Sequence, residues 1–221
     1  LSAWLASQPV PDLALAQAEN GDVFLSTVFI EGVPYEEARL AGTVFWQRYV
    51  DVLMDPAQQD TWGNAVVAIG ASGQPGAERS LIDFFNRLPT EAPLDGAACR
   101  AAYAVPIALA YHANNSRAPA ALQFLSRAAN GDTDFEWRCV YHSTNQEARS
   151  DLQNVSIRSL GLSGIDDADP ILRQLEARAL DGDRREALRD ALEAHALVKQ
   201  LGLAQYYTRP EPQSETPPIE E

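Results

Sequence analysis

Lysine is nearly missing from this chain of 221 residues: Lys199 stands alone among 17 basic residues, the rest being arginine, a bias that fits a GC-rich bacterial genome. Against 31 acidic residues this leaves a formal net charge of −14, which repels phosphate backbones at long range and argues against nucleic acid as a partner. Long hydrophobic runs are missing too. None reaches the roughly eighteen residues needed to cross a bilayer, so no integral membrane segment is expected. Catalytic signatures are equally scarce: there is no Gly-x-Ser-x-Gly, no glycine-rich phosphate loop and no His-Glu-x-x-His. The two cysteines and three histidines include one Cys-x-x-His spacing, Cys139 to His142. A structural zinc takes four ligands, however, and Cys99 and His112 are scattered. The sequence therefore predicts no catalytic group, no metal and no cofactor.

What the chain does have is helical periodicity. Trp62, Ala65, Val66 and Ile69 fall at i, i+3, i+4 and i+7, one stripe of an α-helix, and Leu81, Phe84, Phe85 and Leu88 repeat the spacing. Between them lies Gly70-Ala71-Ser72-Gly73-Gln74-Pro75-Gly76, rich in helix-ending residues. A second hairpin follows. Ala98, Ala101, Ala102, Val105 and Leu109 mark its first helix, Asn114-Asn115-Ser116-Arg117 its turn, and Ala121, Phe124, Leu125 and Ala128 its second helix. Pro119 sits in a first turn, where amides lack partners anyway. A third copy runs from Leu160-Gly161-Leu162-Ser163-Gly164 through Pro170 to Ile171, Leu172, Leu175 and Ala179. Aligning Leu81, Leu122 and Leu172 gives steps of 41 and 50 residues. A competing register of 30 residues pairs Tyr111-His112 with Tyr141-His142, and Asn115 with Asn145.

Two short helices with one apolar stripe apiece cannot bury a core alone, so neighbouring hairpins must stack. The order of features resembles the HEAT-repeat family. The matching strings are Gly63 to Gly70 with Arg79-Ser80-Leu81-Ile82, Ala104 to Leu109 with Ala121-Leu122-Gln123, and Ser159-Leu160-Gly161-Leu162 with Pro170-Ile171-Leu172. The resemblance covers about half the chain and implies an all-α, right-handed solenoid of stacked hairpins whose second helices line a concave surface. It also makes a kink at Pro106 expected. An iron-dependent branch of HEAT-like proteins carries His-Glu pairs, and this chain has none.

Along the chain, residues 1–34 form an N-terminal extension and capping segment, 35–208 the helical domain and 209–221 an acidic, proline-rich tail predicted to be disordered. Val23 to Ile30 has strand-like composition but is expected as a capping helix, since a lone strand would leave its edges unpaired. Tyr35 to Met54 reads as a helix stopped by Asp55-Pro56. Gly131-Asp132-Thr133-Asp134 reads as a turn and N-cap opening a helix over Phe135 to Asn145. Further helices are expected over Glu147 to Leu160 and from Asp183 onward, the last with His195 half-buried on its stripe. Leu1 in place of methionine suggests that something upstream has been removed. Cys99 and Cys139 lie 40 residues apart and could meet as a disulfide. Helix axes about 8–10 Å apart exceed the roughly 7 Å reach between bridged Cα atoms, so two buried thiols fit the spacing as well. The missing start and the possible cysteine pair lean towards an exported or periplasmic location.

Three arginines recur behind the leading leucines of the second helices: Arg87, Arg127 and Arg178. In a HEAT-like stack they would form a ladder on the concave face, with Arg79, Gln123 and Gln174 beside it. Arginine suits carboxylate recognition, so the partner expected is a protein or acidic peptide. The competing role is to complement helix dipoles from the last turn. Tyr111, His112, Tyr141 and His142 form a second candidate patch; otherwise the tyrosines complete the core and the histidines are exposed. The expected function is a protein-binding scaffold. The alternatives are an enzyme or accessory subunit with an unrecognised pocket, or a structural protein of the cell envelope. The oligomeric state is not legible.

Overall fold

The computed structural model describes residues 21–29, 32–178 and 180–209. Among them the chain is all-α, with no strand; a lone parallel bridge joins Leu94 to Cys139. The α-helices are α1 (Gly21–Ser26), α2 (Tyr35–Met54), α3 (Trp62–Ala71), α4 (Ala77–Asn86), α5 (Gly96–Ser116), α6 (Pro119–Asn130), α7 (Asn145–Ser163), α8 (Asp169–Glu176), α9 (Gly182–Leu201) and α10 (Leu203–Thr208). Their boundaries follow local chemistry. Asp95 caps α5 by accepting from the amides of Ala97 and Ala98, Thr144 caps α7 through Glu147, and Asp181 caps α9 through Arg184. Each side-chain oxygen satisfies a donor that the first turn leaves without a partner. Gly131 and Gly164 end α6 and α7 in the left-handed conformation that glycine adopts without strain.

α2, α3, α5, α7 and α9 lie side by side, each against the next. α4 and α6 cover one face of this row, α4 against α5 and α6 against both α5 and α7, while α8 packs on α9. The core lies between the two layers. Trp62, Ala65, Val66 and Ile69 meet Leu81, Phe84 and Phe85 there, with Ala101, Ala102, Val105 and Leu109 of α5.

Two devices hold the row in register. Gly70 of α3 faces the backbone of Ala108 in α5, and Gly161 of α7 faces that of Ala191 in α9, so closely that a Cβ on either would collide with the opposing carbonyl. The adjacent asparagines at the end of α5 reach in opposite directions. Asn115 Nδ2 donates to the Ala71 carbonyl at the end of α3 (3.0 Å) and Asn114 Nδ2 to the Ser163 carbonyl at the end of α7 (2.7 Å). Each satisfies a terminal carbonyl that its own helix cannot pair.

The structure corrects several expectations. Residues 132–138 are extended, not helical. Phe135, Trp137 and Cys139 are buried while Glu136 is exposed, a period of two that a sheetless extended strap satisfies. Because this strap folds back on the start of α5, Cys139 is not at a helix position equivalent to Cys99. The Cα atoms are 5.7 Å apart and the two cysteines form a disulfide. Tyr111-His112 is helical and Tyr141-His142 lies in a turn, so the 30-residue register has no structural counterpart. α5 passes through Pro106 with helical dihedrals throughout, whereas α2 is interrupted at Phe45. α1 is a six-residue helix followed by an irregular stretch. Residues 1–20, most of the expected N-terminal extension, lie outside the described residues, as do Ile30, Glu31, Ala179 and the tail from residue 210.

Candidate functional site

The face of the row turned away from α4 and α6 carries connected hollows. On α5 the floor is Ala97, Arg100, Ala104, Ile107 and Tyr111. Arg100, Ala104, Ile107 and Tyr111 sit two residues beyond the core positions 98, 102, 105 and 109, which is roughly 200° around the helix. Asn64 and Val67 of α3 extend the floor on one side, and Val155 and Leu162 of α7 on the other. Three hollows of about 700, 580 and 310 Å³ share these residues: the first two meet at Val67, the first and third at Arg100 and Ala104. Arg100 is exposed and makes no ion pair or hydrogen bond among the described residues. Glu36, Glu37 and Asp60 stand around the rim.

Two segments of the chain already lie on this face. Asn64 Nδ2 donates to the carbonyls of Phe24, Leu25 and Thr27 and so ties down the end of α1. At the other end α10 folds back after Gly202, setting Leu203 and Tyr206 against a second apolar cluster that contains Tyr35, Val67, Ala71 and Tyr111. Tyr111 donates to the Tyr207 hydroxyl (2.6 Å), and Tyr35 packs edge-on to Tyr111 and stacks on Tyr207. Burial pushes the Tyr111 phenol far up and that of Tyr207 up to about 12. Both remain neutral hydrogen-bonding groups.

The residues singled out in the sequence fall elsewhere. Arg87, Arg127 and Arg178 are exposed at or just beyond the C-terminal ends of α4, α6 and α8. Arg87 Nε donates to the Asp83 carbonyl and an Arg127 Nη to the Asp132 carbonyl, contacts that suit the last-turn dipole role. Arg79, Gln123 and Gln174 are exposed on the same three helices. The two Tyr-His pairs are separated. Tyr111 and His112 are buried near the end of α5, whereas Tyr141, 63% exposed, sits by Cys99 near its start. Twelve residues of helix amount to about 18 Å between Cys99 and Tyr111.

All three histidines are buried, and the Nε2 of each lies beside a carboxylate. His112 is 2.8 Å from Glu78, His142 is 2.9 Å from Asp151 and His195 is 2.8 Å from Asp169. His195 is thus fully in the core where a half-buried position was expected, and its Nε2 is not aligned for a hydrogen bond with Asp169. Glu78 and Asp169 each stand three residues before the leading leucines Leu81 and Leu172. Each meets a histidine from the next helix of the row, α5 or α9.

Burial holds the His112 pKa below its ordinary value, against the opposing pull of Glu78. Lys199, assisted by His195, keeps the Asp169 carboxyl below the usual range. Ser116, His112 and Glu78 have the residue types of a catalytic triad but not its wiring. Both Ser116 Oγ (3.0 Å) and Glu78 approach Nε2, while Nδ1 has no partner. A triad needs the acid on one ring nitrogen and the nucleophile on the other.

His142 accepts the Cys139 amide at Nδ1 (3.1 Å), which places its proton on Nε2 facing Asp151. It thereby orients the turn beside the disulfide. Among the described residues no group of three or more His, Cys, Asp or Glu is placed to hold a metal ion. None of their helices is long and apolar enough to cross a membrane.

Compared with protein-family models, curated proteins and solved structures, the chain gives no significant match.

Proposed function

We propose that this chain is a right-handed solenoid of HEAT-like hairpins that acts as a protein-binding scaffold, taking an apolar segment of its partner on the outer face of the α3–α5–α7 row. The observation that carries the reading is where three of the seven large exposed apolar side chains among the described residues lie. Val28, Tyr141 and Tyr207, which are 85%, 63% and 44% exposed, rim the three connected hollows one apiece. Single exposed apolar residues need no explanation, but a set bordering continuous concavities marks an interaction surface. α10 supplies the chemical precedent, since a leucine and two tyrosines of this chain already pack there. The repeated carboxylate–histidine contact and the asparagine ties between successive helices support the repeat reading. The buried disulfide supports an exported location, where such bonds persist.

The arginine set on α4, α6 and α8 belongs to the other layer and supplies the competing surface, for an acidic peptide. Affinity capture from an extract of the source organism separates the two. The bait is the parent chain, an Ile107→Glu variant, or one with Arg87, Arg127 and Arg178 all changed to alanine. A partner lost only by Ile107→Glu, with unchanged circular dichroism, supports the α5 face. A partner lost only by the triple variant moves the site to the arginine layer. Equal capture by all three baits discards both surfaces.

A further inference from the structure

A separate hollow of about 380 Å³ opens on the molecule where α2 ends and α3 meets α4, away from the α5 floor. Its walls are apolar: Leu53, Trp62, Phe84 and Leu88, with Met54, 38% exposed, at the mouth. Arg87 is the one charged residue in its lining.

The polar groups around it are already engaged, apart from that arginine. Trp62 Nε1 donates to the carbonyls of Val52 (2.9 Å) and Asp55 (3.2 Å), quenching the end of α2. The amides of Arg87 and Leu88 close the end of α4 onto the Phe84 and Phe85 carbonyls. Gln59 donates its side-chain amide to Asp95, and Asp55 accepts from Ala57 and Gln58. Arg87, exposed, donates its Nε to the Asp83 carbonyl (3.1 Å). Its two Nη groups have no partner, and no carboxylate lies within ion-pair distance of them, among the described residues. The hollow is an open, mostly apolar depression of small-molecule size with one planar cation, the exposed Arg87, in its lining.

We infer that this pocket binds an amphipathic monocarboxylate, its apolar body against Trp62, Phe84 and Leu88 and its carboxylate paired with the two Nη groups of Arg87. A guanidinium matches a carboxylate with two parallel N–H···O bonds, the pairing for which a hydroxyl or an amide is no substitute. The same chemistry arises from a fatty acid and from a protein C-terminus ending in an apolar residue. The site does not depend on the scaffold reading, since it shares no lining residue with the α5 face.

Titration calorimetry, with the Trp62 indole N–H followed by NMR as the local reporter, tests this with octanoate, octanol and N-acetyl-leucyl-leucine. Octanoate is expected to shift the Trp62 resonance and to bind about tenfold or more tightly than octanol, the usual return on a charge-assisted hydrogen bond. Arg87→Gln should remove that preference while leaving octanol binding unchanged, which also shows that the variant's pocket is intact. If N-acetyl-leucyl-leucine binds more tightly than octanoate the source is a peptide terminus; the reverse order points to a fatty acid. Equal affinity for octanoate and octanol, a Trp62 resonance that does not move, or a preference that survives Arg87→Gln would overturn the proposal.

Discussion

The helical row and the strap over residues 132–144 are held together by different means. In the row, neighbours meet at backbone distance: Gly70 against Ala108, Gly161 against Ala191, with Asn114 and Asn115 tying helix ends. Backbone polar groups are paired within each helix, so cohesion comes from apolar stripes. The strap has no such ladder. It is fixed by two hydrogen bonds to Leu94, by Arg149 and Asn145 donating to the Phe135 and Glu136 carbonyls, by His142 between the Cys139 amide and Asp151, by Phe135 and Trp137 packed against Phe85, and by the Cys99–Cys139 bond. The row encodes its structure in residues three and four apart, whereas the strap's links to Phe85, Leu94 and Cys99 join residues 40 to 52 apart. Losing one link should therefore cost the strap more than it costs the row.

The largest effect is expected from breaking the disulfide. A bridge across 40 residues restricts the unfolded chain, and a loop of that size corresponds to about 3–4 kcal/mol. Urea unfolding of a Cys99→Ala, Cys139→Ala double variant, beside the oxidised parent, should show a loss of that order. A loss under about 1 kcal/mol would mean that the aromatic contacts of Phe135 and Trp137 suffice, and the contrast between strap and row would fail.

The row breaks at its glycines. Gly70→Ala and Gly161→Ala each improve helix propensity by about 1 kcal/mol, yet the new methyl meets the facing carbonyl. Forcing the helices apart outweighs the gain, with a net loss of about 1–3 kcal/mol. Gly63→Ala in α3 is the control, because nothing stands within 4 Å of its added Cβ. It should be neutral or slightly stabilising in the same assay. If all three behave alike, close approach is not what positions these helices.

This division also explains what was legible beforehand. The stripes over Trp62–Ile69, Leu81–Leu88 and Ala98–Leu109 are local and helices formed there, although α4 stops at Asn86, short of Leu88, and α3 and α5 run on through Gly70-Ala71 and Asn114 to Ser116, expected as turns. The strap misled because Gly131-Asp132-Thr133-Asp134 looks like a helix start, although Phe135, Trp137 and Cys139 carry an alternation that could have revealed an extended segment. The cysteine pairing was open because its geometry depends on where the strap lands, which no spacing encodes. The α5 floor went unread for a related reason. Ala97, Arg100, Ala104, Ile107 and Tyr111 form a second stripe on a helix whose first stripe already explained its burial. Arg87, Arg127 and Arg178, the recurrence that spacing does bring out, lie at or just beyond the ends of α4, α6 and α8, in the other layer.

The smallest effect concerns the carboxylate–histidine contacts that recur along the row, and it asks whether they act alike. Burial lowers the His112 pKa, with Glu78 opposing it, and the residue facing its ring besides Glu78 is Ser116. The folded state therefore takes up the proton less readily than the unfolded chain, whose histidine titrates near 6.5. Above that pH the imidazole is neutral in both states and the contribution of His112 is fully present. As the pH falls below about 6.5 the unfolded chain is protonated first, and stability is lost until the folded pKa is reached. One proton limits the slope to about 1.4 kcal/mol per pH unit. Urea unfolding of parent and His112→Gln from pH 8 to pH 5 should show the parent losing stability faster on the acid side. Glu78→Gln, which removes the one group favouring the proton, should steepen the loss further. Parallel curves for parent and His112→Gln would mean that this contact is an ordinary polar filling of the core.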